Sequence, residues 1–216
     1  MLNLIPIIIG YLLGAIPFGL LISRLFGIRD IRMVGSGNIG ATNVWRMAGA
    51  TPALLVFMAD IGKGIAAVWL ASAIASNSDI TEYLKLASGL AAVLGHIFPI
   101  YLRFKGGKGV NTALGVMITL LPLETIVALM VFILTVAISR YISLGSILAS
   151  MAFFVIIIVE KIILVKYIHP IYIPTSLLLM ILIIFTHRSN IIRLLQGNEN
   201  RFSFHSSKES RAGNND

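Results

Sequence analysis

Residues 110–138 read "VNTALGVMITLLPLETIVALMVFILTVAI", an almost uninterrupted apolar run of 29 residues. One helix of that length would measure about 43 Å, whereas the hydrocarbon core of a bilayer is about 30 Å thick. Pro122 has no backbone N–H to donate and Glu124 favours water, and both lie near the middle of the run. The run therefore predicts a short helix over 110–121, which crosses the membrane only partly or leans into the protein, and a second helix over 123–138.

The rest of the chain has the same apolar character. It is 57% apolar and only 12% charged, with a mean hydropathy of +0.93, whereas soluble domains carry about 25% charged residues. The first run has no basic segment before it and no cleavage site, so it is predicted to be a retained helix. The predicted fold is an all-α polytopic membrane protein, a seven-helix bundle whose other helices cover 4–22, 51–76, 86–102, 141–159 and 167–186.

The basic residues orient this bundle. With the N-terminus outside, the segments 24–50, 103–109, 139–141 and 187–216 share the cytoplasmic side and hold 13 of the 17 lysines and arginines. Asp79, Glu82 and Lys85 then fall in an outer loop. The net charge of +8 reflects this bias and not nucleic-acid binding. Residues 1–202 are predicted to form one membrane domain, and 203–216 a disordered cytoplasmic tail.

The first of three polar segments at helix ends is "GSGNIGATNVWRMAG", residues 35–49. It imitates a dinucleotide-binding fingerprint, but that motif needs a preceding strand and a βαβ unit. The segment can still bind an anion through backbone N–H groups at a helix N-terminus. The planar guanidinium group of Arg46 is suited to a phosphate. Ser36, Asn38, Thr42 and Asn43 are the candidate side-chain partners. The alternative is that Ser36, Thr42 and Asn43 cap the helix predicted at 51–76.

The second polar segment is "FKGGKGVNTALG", residues 104–115. Glycines let backbone N–H groups approach an anion, and Lys105 and Lys108 supply positive charge. Lysines that snorkel to the headgroups would explain the charges but not Gly106, Gly107 and Gly109. No P-loop spacing occurs in the chain. The loop is therefore predicted to bind phosphate, with Thr112 in the helical turn that follows.

The third polar segment, "HRSNIIRLLQGNENRF", covers residues 187–202. His187 and Asn190 share one helix face, with Arg188 and Arg193 elsewhere around it. The alternative is a capping or surface histidine. We expect all three segments to meet at one pocket on the cytoplasmic face.

Two charged residues interrupt the helix predicted at 51–76. Asp60 and Lys63 are spaced i, i+3 and are expected to pair, either structurally or as the floor of the site. His96, inside the next helix, is expected to be a packed polar residue.

The sequence lacks the motifs that several classes of enzyme require. The chain has no cysteine, no paired-aspartate cluster of the kind that holds Mg²⁺, and none of the H-E-x-x-H, G-x-S-x-G or His-x₄-Asp patterns. No metal and no cofactor are predicted, and no strong general base is evident.

Together "GSGNIGATNVWR", "FKGGKGVNTALG" and "HRSNIIRLLQGNE" closely resemble the bacterial membrane glycerol-3-phosphate acyltransferases that use acyl phosphate, the PlsY family. The resemblance covers about 1–202. It departs locally at Asn111, where the family often has alanine, and at "GIRDIR", residues 27–32. It implies transfer of a fatty acyl group from acyl phosphate to the 1-hydroxyl of sn-glycerol 3-phosphate, giving lysophosphatidate and phosphate as the first step of phospholipid synthesis.

The resemblance also implies where the protein works and which residues act. It implies a multi-pass protein of the bacterial inner membrane, with a cytoplasmic active site and no nucleic-acid or obligatory protein partner. Glu199 is implied to be structural, and from their spacing Asp60 and Lys63 are predicted to be supporting residues. The resemblance implies that Ser36, Arg46, His187 and Asn190 are essential and that the loop from Lys105 to Gly109 binds glycerol 3-phosphate. Together with the reading of the residues, the predicted catalytic residues are Ser36, Arg46, Lys105, His187 and Asn190. The predicted substrate-binding residues are Asn38, Thr42, Asn43, Gly106, Gly107, Lys108, Gly109, Thr112 and Arg188.

Two other classes of function stay open at this point. A transporter of a phosphorylated solute usually binds near the membrane midplane between internal repeats, and no repeat is evident. A non-catalytic protein that binds anionic headgroups would explain the basic residues but not the glycines and asparagines.

Overall fold

The structure is a computed structural model that describes residues 4–75, 78–163 and 168–203, with the backbone alone at 78 and 79. Within those ranges all regular elements are helical and no strand occurs, which confirms the predicted all-α class. By length and composition five segments could span a membrane, or six if the bent pair Tyr172–Thr186 and Arg188–Leu195 is one span. The count of seven stays a prediction.

The chain forms two compact units. The first comprises the described residues of Met1–Leu120 together with Ser203, and the second comprises those of Leu121–Phe202. The first unit contains α1 (Ile5–Ala15), α2 (Phe18–Leu25), α3 (Ala41–Ala48), α4 (Ala50–Ile74), α5 (Ser78–Ile97) and α6 (Val110–Leu120). The second contains α7 (Pro122–Ser139), α8 (Ile142–Ile162), α9 (Tyr172–Thr186) and α10 (Arg188–Leu195). A single domain over 1–202 stays a prediction, and the predicted tail, Ser203 apart, lies outside the described residues.

The helices of the first unit pack closely through small residues. A side chain at Gly14 of α1 would clash with the carbonyl oxygen of Ala92 on α5, and one at Gly115 of α6 would clash with that of Ile61 on α4. Small residues at such crossings let helix backbones approach each other closely, which is how many membrane helices associate. The unit is thus held together by tight backbone contacts around α4 and α5.

Proline 122 separates the two helices predicted within residues 110–138. It is the first residue of α7, where its missing N–H costs no hydrogen bond, and α6 ends two residues earlier at Leu120. The division is confirmed to within one or two residues. In the second unit, a bend of 60° separates α9 from α10.

Three sequence predictions need correction. The helix predicted at 86–102 begins at Ser78, so Asp79, Glu82 and Lys85 lie in a helix and not in a loop, and Glu82 and Lys85 form an ion pair of 2.8 Å. The run 4–22 is divided into α1 and α2 before Pro17. Finally, α3 forms within the polar segment 35–49 as a separate helix, which ends at Gly49 with φ +95°.

Candidate active site

Asn43 organises the first polar segment from inside. It is almost completely buried, and its Oδ1 accepts the N–H of Ser36 at 2.8 Å. Its Nδ2 donates to the carbonyl oxygens of Ile31, Val34 and Asn38 at 2.9–3.1 Å. The amide is therefore used within the segment, where Asn43 supports the turn. Its predicted contact with substrate stays a prediction.

Glycines 35 and 37 shape the backbone around Ser36. Their φ angles are +60° and +71°, a region that side chains disfavour, and a Cβ at Gly35 would clash with Oδ1 of Asn43. The spacing that imitates a dinucleotide fingerprint thus serves a tight turn after a 3₁₀ turn at Ile31–Met33. Ser36 is left exposed at the tip of this turn.

The other predicted residues of this segment lie on either side of the start of α3. Oδ1 of Asn38 accepts the N–H of Gly40 at 2.8 Å, so this side chain stabilises the turn into the helix. Thr42 and Arg46 are half-buried, one turn apart on α3. The alternative, that Ser36, Thr42 and Asn43 cap the helix that follows, does not hold, because no side chain caps α4 and Gly49 precedes it.

A salt bridge fixes the chain just before this segment. The Arg32 guanidinium donates to both carboxylate oxygens of Asp30, with the shorter contact at 2.7 Å. These hydrogen bonds, together with the one from the Arg32 backbone, lower the pKa of Asp30 to about 2. Because the pair is exposed, its main effect is to orient the turn.

The glycine–lysine loop, residues 104–109, folds back on the C-terminal end of α5. The N–H of Gly106 donates to the carbonyl of Ile97 at 3.1 Å, and the N–H of Gly107 donates to that of His96 at 3.0 Å. Side chains at these glycines would clash with the His96 backbone or ring. Two of the backbone N–H groups that the sequence predicted to contact an anion therefore form hydrogen bonds within the protein instead.

The two lysines of this loop differ in their exposure. Lys105 is exposed and Lys108 is half-buried, and Gly109 has φ +81° immediately before α6. Thr112, in the first turn of α6, is completely buried, and its hydroxyl oxygen has no hydrogen-bond partner among the described residues. The predicted role of this loop in binding phosphate stays a prediction.

The first two polar segments rest on one apolar cluster of the first unit. The cluster contains Ile39 and Val44 of the first segment, and Leu102, just before the glycine–lysine loop, packs against it. Its other buried members are Leu20, Ile31, Ala53 and Val56. Both segments are thus anchored to one core.

The predicted pair of Asp60 and Lys63 is confirmed, with 2.8 Å between Lys63 Nζ and Asp60 Oδ1. Lys63 Nζ also lies 2.8 Å from Nδ1 of His96 and 3.2 Å from the carbonyl oxygen of Ile16, at the break between α1 and α2. All three side chains are buried. His96 is a packed polar residue, as predicted, and this pairing with Lys63 was not foreseen.

In the second unit, His187 lies at the bend between α9 and α10. The residue is 2% exposed, and Nδ1 is 2.8 Å from the carbonyl oxygen of Ile183. A carbonyl only accepts, so Nδ1 carries a proton and the lone pair of the neutral ring lies on Nε2. The bend therefore fixes both the position and the tautomer of this histidine.

Glu199 holds Asn190 in place. One carboxylate oxygen accepts from Nδ2 of Asn190 at 2.7 Å and from the hydroxyl of Ser143 at 2.9 Å, while the other accepts from Arg193 at 2.7 Å. Burial opposes ionisation, but these hydrogen bonds lower the pKa of Glu199 below its ordinary value. Ser143 was missed from the sequence, since it lies 56 residues from Glu199 and no spacing rule joins them.

Arg188 is exposed and leans on a neighbour in the same unit. Its guanidinium lies 4.8 Å from the centre of the Phe185 ring and donates to the Phe185 carbonyl oxygen at 3.3 Å. Its predicted role in substrate binding stays a prediction.

The family model described as glycerol-3-phosphate acyltransferase matches residues 4–197 of this chain. The chain belongs to this family. A glycerol-3-phosphate acyltransferase of Geotalea daltonii is 45% identical over 92% of this chain and 97% of its own length. Glycerol-3-phosphate acyltransferase 2 of Bacillus anthracis is 41% identical over 93% of this chain and 99% of its own length.

Solved structures of acyltransferases in this family resemble the chain as well. A crystal structure of PlsY, an integral membrane glycerol 3-phosphate acyltransferase, in the glycerol 3-phosphate form has a TM-score of 0.83 and 40% identity. The match covers 93% of this chain and 95% of the PlsY chain. The lysophosphatidic acid form gives a TM-score of 0.81 and 38% identity, with the same shares covered. The resemblance to the PlsY family noted in the sequence is thus confirmed.

Proposed function

We propose that this chain is an acyltransferase that moves a fatty acyl group from acyl phosphate to the 1-hydroxyl of sn-glycerol 3-phosphate. The products are 1-acyl-sn-glycerol 3-phosphate and inorganic phosphate. The observation that carries the proposal is the likeness, over 93% of the chain, to PlsY in its glycerol 3-phosphate form. The choice of acyl phosphate as donor rests on the three sequence segments that resemble the PlsY family.

The residues suit a reaction between two anions. The hydroxyl oxygen attacks the acyl carbonyl carbon, the carbon–oxygen bond to phosphate breaks, and phosphate leaves. The donor is a mixed anhydride and already activated, so the protein mainly needs to orient and neutralise its substrates. In this proposal Lys105 and Lys108 bind glycerol 3-phosphate, and Ser36 and Arg46 support the charge that develops on the donor.

A base is still needed for the hydroxyl proton, and we propose that the phosphate of the donor accepts it. Within the described residues, the groups assigned to the reaction include no carboxylate except the supporting Asp60 and Glu199, and both are engaged in ion pairs. His187, with the lone pair of its neutral ring on Nε2, then acts mainly as a hydrogen-bond acceptor that orients the substrate. Variants of His187 separate these roles and are considered in the Discussion.

The location follows from the same proposal. Seven helical spans with the N-terminus outside place the basic segments on the cytoplasmic side of a bacterial inner membrane, where both substrates would be met. The helix bodies support this count if Ile5–Leu25 and the short α6 are each one pass.

One assay tests the activity. Purified protein is mixed with palmitoyl phosphate and labelled glycerol 3-phosphate, and lysophosphatidate and released phosphate are measured. We expect the two products in equal amounts, and none when palmitoyl-CoA replaces palmitoyl phosphate. Uptake of labelled glycerol 3-phosphate into proteoliposomes without product would instead favour a transporter, and binding to anionic vesicles alone would favour a headgroup-binding protein.

A further inference from the structure

The buried cluster of Asp60, Lys63 and His96 lies directly behind the glycine–lysine loop. Gly107 is the point of contact, because its N–H donates to the His96 carbonyl at 3.0 Å. The imidazole of His96 occupies the space that a side chain at position 107 would need, with Nε2 and two ring carbons as the nearest atoms. The position of this ring therefore limits where the backbone between Lys105 and Lys108 can lie.

The ring is itself fixed from the other side by Lys63. The ammonium group of Lys63 forms an ion pair with Oδ1 of Asp60 at 2.8 Å, and it lies 2.8 Å from Nδ1 of His96. It also donates to the carbonyl oxygen of Ile16 at 3.2 Å, and Nδ1 of His96 lies 3.5 Å from the same Asp60 oxygen. The contact with Lys63 is made at Nδ1, and the other ring nitrogen, Nε2, lies beside Gly107. The orientation of the ring is therefore fixed as long as the ion pair is intact.

Stability alone does not account for this cluster. Charges buried in an apolar interior are costly to desolvate, and well-packed apolar residues are often as stable as a buried ion pair. Lys63 is 5% exposed and Asp60 is 1% exposed, so burial of both charges carries this desolvation penalty. The feature that apolar residues could not reproduce is a directional contact to Nδ1 of His96.

We infer that His96 is a positioning residue for the glycine–lysine loop and that Lys63, held by Asp60, fixes its ring for that purpose. The inference rests on the proposed role of the loop in binding glycerol 3-phosphate. It assigns His96 no contact with substrate: His96 acts on Lys105 and Lys108 through the backbone of Gly107.

The main test is His96→Asn, compared with Ser88→Ala on the same helix. Asparagine keeps an acceptor close to the place of Nδ1 but leaves the space beside Gly107 empty. We expect KM for glycerol 3-phosphate to rise about tenfold or more, since small displacements of a binding group are costly. We expect kcat to change less than about threefold and KM for palmitoyl phosphate to stay constant, because only the binding of one substrate is weakened.

Ser88 is the matched control because it is buried on α5, and its hydroxyl lies within hydrogen-bonding distance of the carbonyl oxygens of Pro6 and Ala67. Its loss weakens helix packing away from the loop. We expect Ser88→Ala to lower the thermal midpoint and leave both KM values unchanged. An equal rise in KM for glycerol 3-phosphate in this variant would overturn the inference, because the effect would then be one of general stability.

A double-mutant cycle tests the contact between the ring and the loop. In the wild-type background Gly107→Ala places a methyl group against the imidazole and should raise KM for glycerol 3-phosphate. With His96→Asn the methyl group has room, so the two changes together should raise KM less than the product of their separate effects. Strictly multiplicative effects would show that the ring does not set the position of the loop.

The double variant Asp60→Leu/Lys63→Met covers the case in which His96→Asn does not fold. It removes both charges together, so no buried charge is left unpaired. We expect it to fold and to show the same selective rise in KM for glycerol 3-phosphate, and a native KM would overturn the inference. Failure of the wild-type protein to make lysophosphatidate would instead refute the proposed function.

Discussion

At the scale of single residues, the tautomer of His187 gives a test of how the proton is removed. In His187→Asn the amide can still donate to the Ile183 carbonyl as Nδ1 does, but nothing replaces Nε2. If the donor phosphate accepts the proton, we expect kcat to fall only a few-fold, whereas loss of a true general base costs up to about 10⁴. Single-turnover rates with palmitoyl phosphate measure the difference, and His187→Gln is the control that loses the Nδ1 contact instead.

The lowered pKa of Glu199 predicts how the stability of the protein depends on pH. Because its pKa is lowered in the folded protein, the carboxylate stabilises the fold above the pKa of the unfolded chain and loses this effect as the pH falls through the lower folded value. Glu199→Gln removes the ion pair with Arg193 but keeps one acceptor for Asn190. We expect a lower thermal midpoint than wild type at pH 7 and a difference that shrinks toward pH 3.

The control for this prediction is Glu199→Ala, which leaves Asn190 and Ser143 without their acceptor. It should be less stable than Glu199→Gln at every pH, since a buried donor without a partner costs about 1–3 kcal/mol. Equal midpoints for wild type and Glu199→Gln at pH 7 would mean that the charge of Glu199 contributes nothing.

At the scale of elements, the turn that carries Ser36 depends on one side chain of α3. Asn43→Ala removes four hydrogen bonds between the helix and the segment before it. We expect the free energy of unfolding to fall by about 2 kcal/mol or more, and kcat to fall with it, because Ser36 loses its fixed position. Thermal melts and initial rates measure both effects, with Asn198→Ala, whose residue is exposed, as the control. Full activity at a reduced midpoint would separate Asn43 from the site.

The elements also explain what the sequence could predict. The helix bodies were predictable because spanning a bilayer requires about 20 apolar residues, and Pro122 marks a boundary by its own chemistry. The pair of Asp60 and Lys63 was predictable because i, i+3 spacing places both on one face. In contrast, α3 was missed because its eight residues are too polar to give an apolar signal. The contacts of Gly107 with His96 and of Ser143 with Glu199 join distant residues, and no local pattern contains them.

At the scale of the whole molecule, the proposed reaction requires all three polar segments to face the cytoplasm. The chain has no cysteine, so single cysteines can be placed at the exposed positions Met33, Phe104 and Ser189 without a background of native thiols. We expect all three to react with a membrane-impermeant maleimide in inverted vesicles and not in spheroplasts, because the basic segments should be retained inside. Tyr83, on the opposite side in the proposed topology, should show the reverse. If Ser189 were labelled from the side opposite to Met33 and Phe104, His187 could not act on a substrate held by Lys105 and Lys108. The roles proposed for the residues of the three segments would then be wrong, even if the protein made lysophosphatidate.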